Sequence, residues 1–193
     1  MRKAKEGKMN KTPTICGIVA IGPDDVIGRD GVMPWYSSKD FYHFKTLTTP
    51  YPCIFGKNTF ENLPSNPLPN RLNIVCSSGY KNEFRDKVLY TNSIESAFEY
   101  CKKFPYIFIC GGARIYEYAI QNDFIDIMYI TKIYDEKLSK SVKTAPNEYV
   151  KFPVNTDIFF DSDKWVAKRI IYKENALPKE SISVKFFKCL RAR

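Results

Sequence analysis

The chain is 193 residues long, 44% hydrophobic and 26% charged, with a formal net charge of +9, the profile of one globular domain with a sizeable core. No apolar run reaches the eighteen or so residues that a membrane span needs, and the basic opening MRKAKEGKMNK leads into no apolar segment of a secretory signal. Six cysteines without a C-x-x-C pair, beside a single histidine, exclude a disulfide framework and a zinc site and favour a reducing, cytoplasmic setting.

Residues 1–12 read as a flexible basic arm and 13–193 as the domain. A first strand is expected near 14–21 (TICGIVAI). A helix over 40–48 follows, with Ser37 and Ser38 as candidate N-caps. The strand CIF (53–55) runs through Gly56 into a helix over 57–63. Strands near 72–76 and 87–90 come next, then a helix over 94–103 that Ser93 caps and Pro105 stops. A strand near 106–110 (YIFIC) meets Gly111 and Gly112, and a helix follows over 113–120. Three longer strands are expected near 125–133, 165–173 and 182–190. Segment 135–151, polar and rich in lysine, reads as a long loop. The early strands are nearly all apolar, as parallel strands covered on both faces are. The last two alternate around ENALPKES, which suits an antiparallel hairpin at a sheet edge. The expected fold is a single-domain α/β protein. It has a predominantly parallel eight-stranded sheet, an antiparallel C-terminal strand and about four flanking helices.

Three places can carry chemistry. On the helix over 40–48, Asp40, Phe41, Phe44 and Leu47 share one arc, so the carboxylate enters an apolar cleft near the helix N-terminus. There the macrodipole favours its charge and desolvation opposes it. It is either a helix cap or a functional acid. The turn Gly56-Lys57-Asn58-Thr59 offers free N–H groups and a cation to an anion. The triphosphatase pattern is excluded, because Tyr51 stands where its first glycine belongs. This turn is a phosphate site or a plain connection. The Gly111-Gly112 junction admits a ligand close to the backbone, with Arg114 beside it, but lacks the G-x-G-x-x-G spacing. The lysines are spread along the chain without a nucleic-acid-binding motif, which argues against nucleic acid. A positive field equally draws in a small polyanion.

Taken together, the motifs resemble the dihydrofolate reductase family. They are Val26-Ile27-Gly28, Met33-Pro34-Trp35 with Asp40 five residues on, Phe44-Lys45, Gly56 to Phe60, Pro67 to Arg71, Ser77-Ser78, Gly111 to Tyr116, and Thr131. The likeness is strong over 14–133, fair over 152–190 and absent from the arm. It implies an NADPH-dependent reductase of dihydrofolate, open to antifolate inhibitors, expected to be a monomer with no membrane partner. Asp40 would read the 2-amino and N3 side of the pterin, steadied by Thr131. Phe41 and Phe44 would line the ring and its extension, opposite Leu63 and Leu68, and Arg71 would hold the glutamate carboxylate. Ile18, Val19, Ala20, Cys110 and Tyr116 would complete the pocket floor and edge.

For the cofactor, the likeness implies phosphate contacts from Lys57, Asn58 and Thr59, and adenosine 2′-phosphate contacts from Ser77 and Ser78. Gly111, Gly112, Ala113, Arg114, Ile115 and Tyr116 would hold the pyrophosphate and nicotinamide end, with a cis peptide between the glycines. Ile27, Gly28, Met33 and Trp35 would belong to a lid over nicotinamide and pterin. Hydride would pass from nicotinamide C4 to pterin C6. Asp40, gripping the far side of the ring from N5, would polarise it and support proton delivery through water. Against the family pattern stand Tyr36-Ser37-Ser38-Lys39 where a Leu-Pro pair is common, a helix-surface His43, and Cys110 at an aliphatic position. A riboflavin-pathway pyrimidine reductase of the same architecture would share the glycine pair but not Met-Pro-Trp with its acid. A basic binding module without turnover would not be expected to keep Asp40, Arg71, Thr131 and both glycines.

Overall fold

Runs such as TICGIVAI are buried on both sides, and that fixes where the sheet lies. The computed structural model describes residues 12–160, 162–172 and 182–192. Except for Thr12, the arm lies outside them, as does the turn of the C-terminal hairpin. The strands are β1 (Thr14–Ile21), β2 (Val26–Arg29), β3 (Cys53–Gly56), β4 (Asn73–Cys76), β5 (Glu83–Arg85), β6 (Val88–Thr91), β7 (Tyr106–Ile109), β8 (Ile127–Tyr134), β9 (Tyr149–Lys151), β10 (Trp165–Ile170) and β11 (Ser183–Arg191). The α-helices are α1 (Ser38–Thr48), α2 (Lys57–Glu61), α3 (Ile94–Cys101), α4 (Ala113–Gln121) and α5 (Glu136–Thr144).

One nine-stranded sheet runs in the order β10-β11-β8-β1-β7-β3-β4-β6-β5, and β2 and β9 form a separate ribbon. The pairings from β8 through β6 are parallel. β11 is antiparallel to both β8 and β10, as the alternating C-terminal pattern predicts. The ninth strand, β5, was not expected, because Glu83, Phe84 and Arg85 are all exposed and carry no burial pattern. β2 and β9 escaped for a related reason: three or four residues are too short for alternation to register.

Successive residues of β1 go to opposite faces. Cys16 and Ile18 join the core beneath α1 and α2, with Phe55, Phe60, Val75 and Phe108. Val19 and Ile21 join the core beneath α3 and α4, with Ile94, Ala97, Tyr116 and Ala119. Fully burying each such aliphatic side chain contributes about 1.5–3 kcal/mol.

The segment expected as a loop over 135–151 instead contains α5. Asp135 caps it, its side chain accepting from the N–H groups of Lys137 (2.9 Å) and Leu138 (3.1 Å). Leu138 and Val142, one turn apart, are buried. With two apolar residues among many polar ones, the 3.6-residue period was too sparse to see.

A second correction concerns His43, which is 1% exposed rather than on the helix surface. Its ring packs on Phe186 at 4.4 Å between centroids, and its Nδ1 bonds the Tyr172 hydroxyl. Burial lowers its pKa from 6.5 to about 4. The unfolded chain therefore binds the proton more tightly. Stability from this group is fully present above pH 6.5 and is lost as pH falls toward 4, by about 3 kcal/mol in all. The urea midpoint is expected to fall across that window, and to fall less in His43→Leu. An equal fall in both proteins would assign the acid sensitivity to other groups.

Candidate active site

Alternation on β1 and β8 sets the floor. Ile18 and Ala20 share a face with Cys16, and Thr131 shares a face with Ile127 and Tyr129, all on the side that α1 covers. Ala20 and Thr131 are register partners, and Phe186 flanks Thr131 on β11. Thr131 is buried. Val19 points to the opposite face, so of Ile18, Val19 and Ala20, expected together at the pocket floor, Val19 is the one that turns away from α1.

Asp40 sits in the first turn of α1, 8% exposed. The cap is Ser37, whose hydroxyl accepts from the Asp40 backbone N–H at 3.2 Å. A carboxylate in the first turn is favoured by the helix dipole, and one at this depth is costly unless it is partnered. Phe41 lies half-buried beside it, 5.5 Å from the Tyr36 ring. Phe44 and Leu47 face Leu63 and Leu68 across the same core.

The far end of this wall holds a fixed cation. Arg71 donates from Nη1 to Thr48 Oγ1 and from Nε to the Pro69 carbonyl at 3.1 Å. Its guanidinium lies 5.8 Å from the Phe44 centroid. The loop beneath is held by buried Asn73, which accepts from Leu68 N (2.9 Å) and donates to Leu68 O (2.8 Å) and Arg71 O (3.1 Å). Sequence reasoning found Arg71 but missed Thr48 and Asn73. Thr48 stands one turn after Phe44, so helical spacing could have found it. Asn73, inside an apolar strand, gave no signal beyond its polarity.

At the C-terminal ends of β3 and β7 two helix starts meet. Gly56 N–H donates to the Gly111 carbonyl at 2.7 Å. A side-chain carbon on Gly112 would lie 2.8 Å from Thr59 Oγ1, and one on Gly56 would lie 3.2 Å from Ile115. A side chain at either glycine would push Thr59 or Ile115 aside, so the bare backbones let α2 and α4 begin this close. Gly111 has φ of +104°, and the Gly111–Gly112 peptide is cis. First-turn N–H groups of a helix lack intrahelical partners, and Lys57, Asn58 and Arg114 are exposed beside them. Paired helix starts with two cations suit a diphosphate. Ala113 and Ile115 are half-buried on α4. Ser77 and exposed Ser78 follow β4 in a tight turn closed by Tyr80 N–H to Ser77 O at 2.9 Å.

Tyr116 joins this corner to the α1 face. Its hydroxyl donates to the Ile18 carbonyl at 2.6 Å. Burial pushes its pKa well up, and the Asp40 carboxylate adds to the rise, so it stays a neutral donor. Burial likewise raises the half-buried Cys110 thiol, and its hydrogen bond to Cys53 raises it further, leaving an uncharged wall.

The remaining side is the segment from Ile27 to Trp35. Ile27 and Gly28 lie on β2, paired with β9, and Met33 and Trp35 pack on a third core with Val26, Ile133 and Leu138. Trp35 Nε1 is buried with no hydrogen-bond partner among the described residues, a donor left for a ligand or water. Asp25 at the base of this segment accepts from Thr156 Oγ1 at 2.7 Å and lies 3.6 Å from Lys132 Nζ. Sequence reasoning missed that anchor, whose members are far apart in the chain. Among the described residues no cluster of His, Cys, Asp and Glu could hold a metal ion, and no helix is long and apolar enough to cross a membrane.

The family described as Dihydrofolate reductase matches residues 14–173. The dihydrofolate reductase of Candida albicans is 32% identical over 158 residues, 77% of this chain and 81% of that protein. That of Bacillus subtilis is 34% identical over 119 residues, 62% of this chain and 68% of that protein. A solved structure of the Enterococcus faecalis dihydrofolate reductase, complexed with NADP(H) and RAB-propyl, superposes with a TM-score of 0.70. It is 24% identical, covers 93% of this chain and 97% of its own, and shows the shared fold.

Proposed function

The chain belongs to the dihydrofolate reductase family, and from that premise we propose that it reduces 7,8-dihydrofolate to 5,6,7,8-tetrahydrofolate with NADPH as reductant. The observation that carries the reading is Asp40. It is a carboxylate buried in the first turn of α1, beside Phe41 and on the apolar side of the sheet that α1 covers.

NADPH, when bound, supplies the hydride that pterin C6 receives. Lys57, Asn58, Thr59, Arg114 and the N–H groups at the starts of α2 and α4 hold its diphosphate, and Ser77 and Ser78 meet the adenosine 2′-phosphate. Asp40 accepts hydrogen bonds from the 2-amino and N3 side of the pterin, with Thr131 steadying the carboxylate. It thereby draws charge across the ring and makes N5, on the other side, easier to protonate through water. Ile18, Phe41, Phe44, Leu63 and Leu68 form the apolar slot, and Arg71 takes the glutamate carboxylate in bidentate fashion. Ile27 to Trp35 close over the slot and exclude bulk water, which strengthens each of these interactions. Antifolate inhibitors with a similar planar head occupy the same slot.

The proposed active species is the monomer. Its six free thiols suit a reducing cytoplasm. The direct test mixes purified protein with NADPH and dihydrofolate and follows loss of NADPH absorbance. Turnover that depends on both compounds is expected. Absence of consumption in a folded sample would overturn the assignment.

A further inference from the structure

Helix α5 lies outside every motif used above, yet it touches the base of the lid from two directions. Leu138 and Val142 are buried in one cluster with Trp35, Val26, Ile133 and Tyr149. Above Gly22 the contact is close: a carbon added there would lie 2.8 Å from Trp35 Cζ3, 3.4 Å from Cε3 and 3.2 Å from Leu138 Cδ2. The Cε3–Cζ3 edge of the indole therefore lies over the bare backbone of Gly22, with Leu138 beside that glycine and in the same buried cluster as Trp35. Nε1 belongs to the opposite edge of the ring system, so this grip turns the buried, unpartnered Nε1 away from α5.

The second attachment runs through Tyr149. Its hydroxyl bonds Ser141 Oγ on α5 at 2.7 Å and accepts from Arg29 Nη1 at 3.4 Å, and the Arg29 guanidinium lies 5.2 Å from its ring centroid. Arg29 also pairs with Glu148, and β2 pairs with β9. Both ends of the lid segment, β2 and Trp35, therefore rest on the same helix.

We propose that Leu138 is a positioning residue for hydride transfer, acting through Trp35 by holding the edge of its indole. The inference rests on the reductase reading given above. It concerns the reacting end alone, because α5 packs in the cluster of Trp35 and Met33, whereas Gly56 and Gly112 meet Ile115 and Thr59.

The test uses a Trp165→Phe background, in which Trp35 is the one tryptophan left. Leu138→Ala is expected to lower kcat about 10- to 100-fold, the scale of a small misplacement near the chemistry. NADPH Kd should stay within about twofold, acrylamide should quench Trp35 more readily, and Leu138→Met should restore both kcat and quenching. A folded Leu138→Ala protein with wild-type kcat or unchanged quenching overturns the proposal. Should Leu138→Ala fail to fold, Gly22→Ala disturbs the same indole edge while leaving α5 whole. It must lower kcat at unchanged NADPH affinity, and wild-type kcat there overturns the proposal too. Quenching needs no turnover. A wild-type protein inactive on dihydrofolate therefore refutes the reductase reading, while the Leu138–Trp35 contact is still judged by its own signal.

Discussion

Asp40→Asn is expected to give a folded protein whose turnover of dihydrofolate is lower by about 10²–10⁴-fold, the range for a positioned acid-base group. The substitution keeps shape and volume. The helix cap survives, since Ser37 accepts from the backbone N–H of residue 40 and not from its side chain. What disappears is the negative charge in an apolar slot, together with one of two acceptor oxygens. An amide also turns a donor toward the donors of the pterin. Circular dichroism and kcat/KM measured with saturating NADPH separate these effects. Turnover near that of the unmodified protein would leave Asp40 without the role given to it.

Arg71→Leu should weaken dihydrofolate binding about 100-fold, the scale of a lost charge-assisted pair, and shift NADPH Kd by no more than about threefold. The guanidinium is already oriented by Thr48, the Pro69 carbonyl and the Phe44 ring. Little side-chain freedom is left to lose when a carboxylate arrives. Thr48→Val should show the same selectivity at smaller size, since it removes the strut and keeps the cation. Titration of both ligands against each variant decides the matter. Equal weakening of the two would mean that Arg71 does not read the substrate tail.

Most of the scaffold could be read from the chain because most of its strands are continuous apolar runs and its first four α-helices follow Ser37, Gly56, Ser93 and Gly112. Such signals are local. The parts that could not be read depend on distant partners. Leu138 becomes a core residue because Trp35 and Gly22 are there to meet it, and Glu83 to Arg85 form a strand because β6 offers its edge. His43 reads as a surface residue on a lone helix, and Phe186 on β11 makes it an interior one. In the site, Asp40, Arg71 and the glycines were legible through motif spacing. The side chains that hold them in place, Thr48 and Asn73 above all, were not. A supporting residue is defined by what it touches in space, and spacing along a chain carries no record of that.

The order of strands has a consequence for synthesis. β1 leaves the ribosome well before either of its two sheet neighbours, β7 and β8. β3, β4, β6 and β5 lie side by side and are made in one stretch, so that part of the sheet can assemble as it emerges. TICGIVAI must meanwhile wait with both edges open, an apolar ribbon of the kind that invites wrong pairing. Slowing translation after Thr91 lengthens that wait, and a chaperone that shields β1 lessens the hazard.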